Sequence, residues 1–308
     1  MKSQVRKVNK GFALATGTAV VLLSLTVSPG AQENAVPSDS LNIQNECDRL
    51  AGSPSDHQRN TAFGAVDTAQ VGAGAIDTCR LAFEATGNPR FAYQLGRALN
   101  NANEIDQAMS AYEAAAEAQY PAAKVNFGML LGRLGDHGAE FQMYSEAAEG
   151  GNVLAAYNLG VSYRDGIGTQ VDVDKALHWF EAAVAGGDDT AAFNIAVIYD
   201  EGKLLPEDDQ TAIAWYDLAV QRGNVDAMVN LGIMLETGEG IDPDAGQAAE
   251  LYAKAAERGD MFAANKILEL HASGRLEQPE MSEFEEGMNS LVLKEGDMEK
   301  PSLLAKSI

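Results

Sequence analysis

Side chains able to do acid–base or metal chemistry are few in this chain and widely scattered. The four histidines, His57, His137, His178 and His271, stand far apart, and none has a second donor at the short spacing a metal site needs. His178 precedes Trp179 on a helix-patterned stretch and His271 takes an apolar slot, so packing in the core or at its rim is their expected use. No nucleophile elbow, phosphate-binding loop or HExxH sequence occurs. The acid pairs Asp172 and Asp174, and Asp208 and Asp209, resemble half of a calcium loop. Each pair also stands just ahead of an apolar-periodic segment, where a carboxylate caps free N–H groups and opposes the helix dipole, and capping is the reading adopted. These residues point to no catalytic group, no metal and no cofactor, and the chain is expected not to be an enzyme.

What does recur is an amide. Asn126, Asn158, Asn194 and Asn230 follow one another at 32, 36 and 36 residues, each just ahead of a bulky residue and a small one. Beside them stand Tyr93, Val125, Tyr157, Phe193 and Val229. An amide offers both donor and acceptor to an extended peptide backbone, and rings supply apolar area. One reading makes Tyr93, Asn126, Tyr157, Asn158, Phe193, Asn194 and Asn230 a groove for a partner. The other has Asn tie neighbouring helices together while the rings are ordinary core, and both stay open.

Elements that would position these groups are written into residues 153–260, where one unit repeats three times. Gly160, Ala196 and Gly232 are 36 residues apart, as are Phe180, Tyr216 and Tyr252. In the second segment of each unit, Ala176, Phe180 and Ala183 and their counterparts fall at i, i+4 and i+7, one face of a helix. A pair of short amphipathic helices cannot bury its apolar face alone, whereas stacked copies share one core. Glycines at 166, 202 and 238 close the first helices and those at 187, 223 and 259 close the second. Two shorter copies precede these from Pro89, with Gly96, Gly128 and Gly160 spaced by 32, so four residues are missing from their inter-helix turns.

Taken together, the small, ring and glycine positions make residues 89–274 resemble the Sel1-like repeat proteins of the tetratricopeptide superfamily. Two departures stand out: Ala196 replaces the usual glycine, and the copy from Met261 has Lys266 and Leu268 where the others carry Asn and a small residue. The resemblance implies an all-α fold, a right-handed solenoid whose first helices line the concave side, and service as a scaffold for protein complexes. Some cysteine-rich relatives bind penicillin, but those carry a cysteine pair in each repeat, and no repeat after Pro89 here contains one.

The flanks read differently. Residues 1–31 form a secretory signal by pattern: a basic head with Lys2, Arg6, Lys7 and Lys10, then 16 largely apolar residues from Phe12. That run is shorter than the roughly 20 residues of a spanning helix. Residues 32–88 hold both cysteines, Cys47 and Cys79, which in an oxidising compartment read as a disulfide. Cys79 takes the ring position of a second-type helix expected over residues 66–85, and the bridge would tie an otherwise loose 41–59 to it. Residues 275–308 read as a degenerate capping repeat and tail, with Phe284, Met288 and Leu291 on one face of a helix over 280–295. The formal net charge of −23 disfavours nucleic acid and favours basic or neutral partners. The expected protein is thus periplasmic or secreted and binds a protein or extended peptide. A cell-wall enzyme or ligand binder (β-lactam or muropeptide) and a passive spacer are the alternatives.

Overall fold

The computed structural model describes residues 38–276. The signal segment and the helix expected over 280–295 lie outside them. Among the described residues there are thirteen α-helices and no strand. They are α1 (Ser38–Ala51), α2 (Gly74–Thr86), α3 (Pro89–Asn101), α4 (Ile105–Glu117), α5 (Pro121–Arg133), α6 (His137–Glu149) and α7 (Val153–Asp165). The remainder are α8 (Val173–Ala185), α9 (Asp189–Asp200), α10 (Asp209–Arg222), α11 (Val225–Thr237), α12 (Ala245–Ala256) and α13 (Met261–Ala272). Each packs chiefly against the helices before and after it in sequence, the nearest-neighbour pattern of an α-solenoid. Buried apolar side chains form two contiguous groups, from Cys47 to Leu130 and from Val125 to Leu270, which meet on α5.

Helix starts follow the period because the caps do. Asn152, Asp188, Asn224 and Asp260 each accept a hydrogen bond from the backbone N–H three residues on, opening α7, α9, α11 and α13. Asp172, Asp208 and Asp244 do the same for α8, α10 and α12. The two acids that began each suspected calcium half-loop are therefore capping groups.

Between the helices of a pair, the ring packs where a side chain is missing. Phe180, Tyr216 and Tyr252 are 0% exposed. A Cβ on Gly160 or on Gly232 would sit 2.6 Å from a carbon of Phe180 or Tyr252, so only glycine lets the helices approach this closely. Ala196 departs from that rule, yet Tyr216 opposite it is still completely enclosed.

The N-terminal part differs from the expectation in three ways. Residues 41–51, expected to be loose, belong to helix α1, because Cys47 and Ala51 at i and i+4 give it a buried face. The helix expected from residue 66 begins only at Gly74, after a short 3-10 turn at Thr68–Gln70. Cys47 and Cys79 are bonded to each other, joining α1 to α2. Third, the segment between α1 and α2 folds across α3 and covers it, so that residues 91–99 are all buried. The guanidinium of the fully enclosed Arg97 donates to Ala51 O at 2.6 Å and Val66 O at 2.7 Å. Asn101 donates to Val71 O at 2.8 Å, and Tyr120 Oη donates to Asp56 Oδ2 at 2.6 Å. Buried donors that found these carbonyls would each cost about 1–3 kcal/mol if left unpaired, which fixes the segment in place.

Candidate partner-binding face

First helices α5, α7, α9 and α11 stack in successive repeats and bring Asn126, Asn158, Asn194 and Asn230 to equivalent positions, but the four amides do different things. Asn230 Nδ2 donates to the Tyr216 hydroxyl of the preceding repeat at 2.9 Å. Asn126 reaches toward the Tyr93 hydroxyl at 3.5 Å. Preceding Asn194 is Phe180, which has no hydroxyl. Asn194 instead donates to Thr190 O at 2.8 Å and accepts from Arg164 of α7. Ahead of Asn158 the ring is Tyr144, whose hydroxyl donates to Glu140 at 3.2 Å and receives no bond from Asn158. Asn158 is half-buried, and its side-chain amide has no hydrogen-bond partner among the described residues.

The rings turn inward. Tyr93 is 0% exposed, its centroid 6.2 Å from Tyr112 and 5.5 Å from Tyr120, and the covering segment shuts it off from any ligand. Burial raises its hydroxyl pKa above the ordinary tyrosine value. Tyr157 and Phe193 are partly exposed and lie 5.9 Å from Phe180 and Tyr216 of their own repeats. Tyr93 is therefore core and no part of an open groove, and Tyr157 and Phe193 share their surface between core and solvent.

A second, aliphatic row shares its surface between core and solvent in the same way. Three residues after each Asn come Met129, Val161, Val197 and Ile233. Met129 is 48% exposed and the other three are half-buried. The signal was present in the sequence as a 32- and 36-residue recurrence of aliphatic residues, one helical turn from the amides.

One loop breaks the repeat and opens a pocket on this face. Gly168, Leu204 and Gly240 occupy the same place in three successive inter-helix loops. At Gly168 the backbone lies against His137 O of α6, and at Gly240 against Asp209 of α10, so close that a Cβ would collide with either. Leu204 has such a Cβ and a branched side chain, and its loop cannot settle in the same way. A pocket of about 380 Å³ results, with Val197, Ile198 and Leu204 as apolar walls and Arg164, Asp165, Glu201 and Lys203 around them. Arg164 is held between Asp165 at 2.7 Å and Asn194, and the bond with Asp165 raises its pKa further. Lys203 pairs with Glu201 at 3.1 Å on the exposed rim. Such a pocket can take an aliphatic side chain, and the Asn158 amide, on the same helix α7 as Arg164, can bind a peptide group.

An acidic cluster lies elsewhere. Glu207, Asp209 and Glu239 can bring one oxygen each within 4.8 Å of one another. Glu207 and Glu239 are exposed to solvent, where water screens the repulsion, and the group carries no assignment.

Similarity to known proteins agrees with this architecture. The Sel1 repeat family matches residues 153–188, 190–224 and 225–260. A Sel1 repeat protein from Oxalobacter formigenes superposes with a TM-score of 0.60 at 26% identity, over 72% of this chain and 95% of its own. The protein c5321, a protective antigen present in uropathogenic Escherichia coli strains and displaying an SLR fold, gives 0.59 at 23% identity. That match covers 78% of this chain and 50% of c5321, so the likeness is one of fold over half of that protein's length. No curated protein sequence matches the chain. Residues 153–260 are thus three Sel1 repeats, and the helical solenoid of the described residues is similar to that of Sel1-like repeat proteins.

Proposed function

We propose that the chain is an exported, non-catalytic scaffold that holds an extended segment of a partner protein across α7 and α9. Proteins built from Sel1-like repeats generally act as protein-interaction scaffolds. The observation that carries the assignment to this face is the Leu204 pocket, whose lining residue Arg164 shares helix α7 with the unpartnered amide of Asn158. A partly exposed amide bonded to no other side chain is free to exchange water for a peptide group, and the pocket accepts a side chain of the same segment. The partner is basic or neutral, because the chain's net charge of −23 repels anions. Export to the periplasm or beyond is supported by the Cys47–Cys79 bond, which needs an oxidising compartment to persist. No helix among the described residues is long and apolar enough to cross a membrane.

The test places a photo-crosslinking amino acid at Val161 or Val197 in cells producing the full chain, with His178 on the second-helix side as control. Adducts are expected at the first two positions only, and their yield should fall at least about tenfold in Asn158→Ala and in Leu204→Asp. Equal crosslinking from His178, or full yield in both variants with unchanged melting temperature, would end the proposal.

A further inference from the structure

A second cleft, on the opposite side of the stack, has a different origin. It lies between α10 and α12, the second helices of consecutive repeats, and measures about 520 Å³. Val220, Met228, Leu231, Leu235 and Leu251 contribute its apolar lining. The period explains why it is open. Leu251 stands where Trp215 and Trp179 stand one and two repeats earlier, and Lys254 where Leu218 stands. Trp179, Trp215 and Leu218 pack against the continuous core at the earlier junctions. Replacing the indole by an isobutyl group, and the leucine by a side chain that carries its charge into water, removes most of a ring's volume from the α10–α12 junction. The cleft therefore opens where this fold accommodates an indole at the two earlier junctions.

Charge narrows what fits. Asp217, Glu250 and Glu257 stand exposed at the rim, and none is in an ion pair among the described residues. Of the two cations there, Arg258 is held by the backbone carbonyl of Gly223 but keeps its charge, so three carboxylates face two cations and the rim is negative by one charge. We infer that this cleft receives one indole-sized aromatic side chain from a partner protein segment that carries basic residues beside it. A single buried aromatic anchor within a charged rim is the usual make-up of a protein-binding hot spot. The surface is distinct from the α7–α9 face and does not depend on that assignment.

The probe is the peptide Lys-Trp-Lys, titrated into the full chain while the leucine methyl NMR signals are followed. Signals of Leu231, Leu235 and Leu251 should shift, with Lys-Leu-Lys about tenfold weaker. Leu251→Trp fills the cleft from within and should abolish the shifts at Leu231 and Leu235 without lowering the melting temperature. Should that variant fail to fold, Asp217→Lys with Glu250→Lys serves instead. It should weaken Lys-Trp-Lys about fivefold or more and leave uncharged N-acetyltryptophanamide unaffected. Asn158→Ala must leave the titration unchanged, which separates this surface from the first. The inference is overturned by absent shifts, by equal response to Lys-Leu-Lys, or by binding that survives the filled cleft and the reversed rim. It is equally overturned if light scattering shows a dimer that Leu251→Trp dissolves, or if the cleft methyls already contact residues 277–308, since the occupant would then be a second copy or the chain's own end.

Discussion

Replacing Phe180 and Gly160 singly and together gives the sharpest test of how the repeats hold. Phe180 is 0% exposed, so Phe180→Ala should cost about 3–5 kcal/mol. Gly160→Ala puts a Cβ 2.6 Å from a carbon of that ring. Both atoms are anchored to helices, and overpacking of this kind costs about 1–3 kcal/mol. Alanine's better helix propensity returns about 1 kcal/mol, so the single variant should be neutral to moderately destabilised. Without the ring the collision is gone and only the propensity gain remains. Gly160→Ala should therefore stabilise the Phe180→Ala protein by about 1 kcal/mol, an interaction energy of about 1–3 kcal/mol across the cycle. Urea unfolding followed by circular dichroism reads the total, and hydrogen exchange locates it, since a solenoid need not unfold in one step. Exchange should quicken in α7 to α10 and little elsewhere. Additivity within about 0.5 kcal/mol, or loosening spread evenly from α1 to α13, would refute the packing described.

Three further outcomes are expected. The mature chain should yield no alkylatable thiol under denaturing, nonreducing conditions; reduction should remove about 3–4 kcal/mol of stability and speed hydrogen exchange in α1 to α3 while α9 to α13 are unchanged. Asn194→Ala should lower the melting temperature, costing about 1–3 kcal/mol through the lost contact with Arg164, whereas Asn158→Ala should leave it in place, as paired thermal melts will show. Asp172 and Asp208 are held below the ordinary carboxylate range by hydrogen bonds from the side chains of Lys175 and Thr211, and Asp244 by the backbone N–H of Gln247. Their stabilisation is complete above the unfolded value of about 4 and is lost as pH falls through the depressed folded values. Replacing all three by Asn, which keeps the capping oxygen but does not titrate, should flatten the fall of melting temperature below pH 4. Asp188, raised by burial, slopes the other way in both proteins and drops out of the difference.

Helices and core were legible in the sequence because they are local and periodic: the ring of Phe180 and the gap at Gly160 recur at a fixed distance, and one turn of helix relates each cap to the N–H it binds. The bridge was legible for a simpler reason, two cysteines in a chain whose first residues read as a secretory signal. Three features were not. The cover over α3 depends on Arg97 finding carbonyls of Ala51 and Val66, a contact across 46 and 31 residues that no periodicity announces. Tyr93 was misplaced for the same cause, since its position in the helix matches Tyr157 and only the cover distinguishes them. The amides split in part because the ring preceding each differs, a hydroxyl that accepts from Asn230 at Tyr216 and none at Phe180. Leu204 could have been noticed as the break in a row of glycines, but its effect needs the distance between loop and neighbouring helix.

The covering segment has a consequence for any occupant of the first-helix face. With α3 sealed by the chain that precedes α2, the row of amides and aliphatic residues begins at α5 and has a wall at that end. The aliphatic residues recur in every repeat while the amides differ, so a strand held mainly by the aliphatic row would slide by one repeat into a similar position. The wall removes that ambiguity: a strand that abuts it has a fixed register, and its residues are counted from a stop. On the proposed reading of this face, an occupant with a free end at the wall would be distinguished from one that must continue through it.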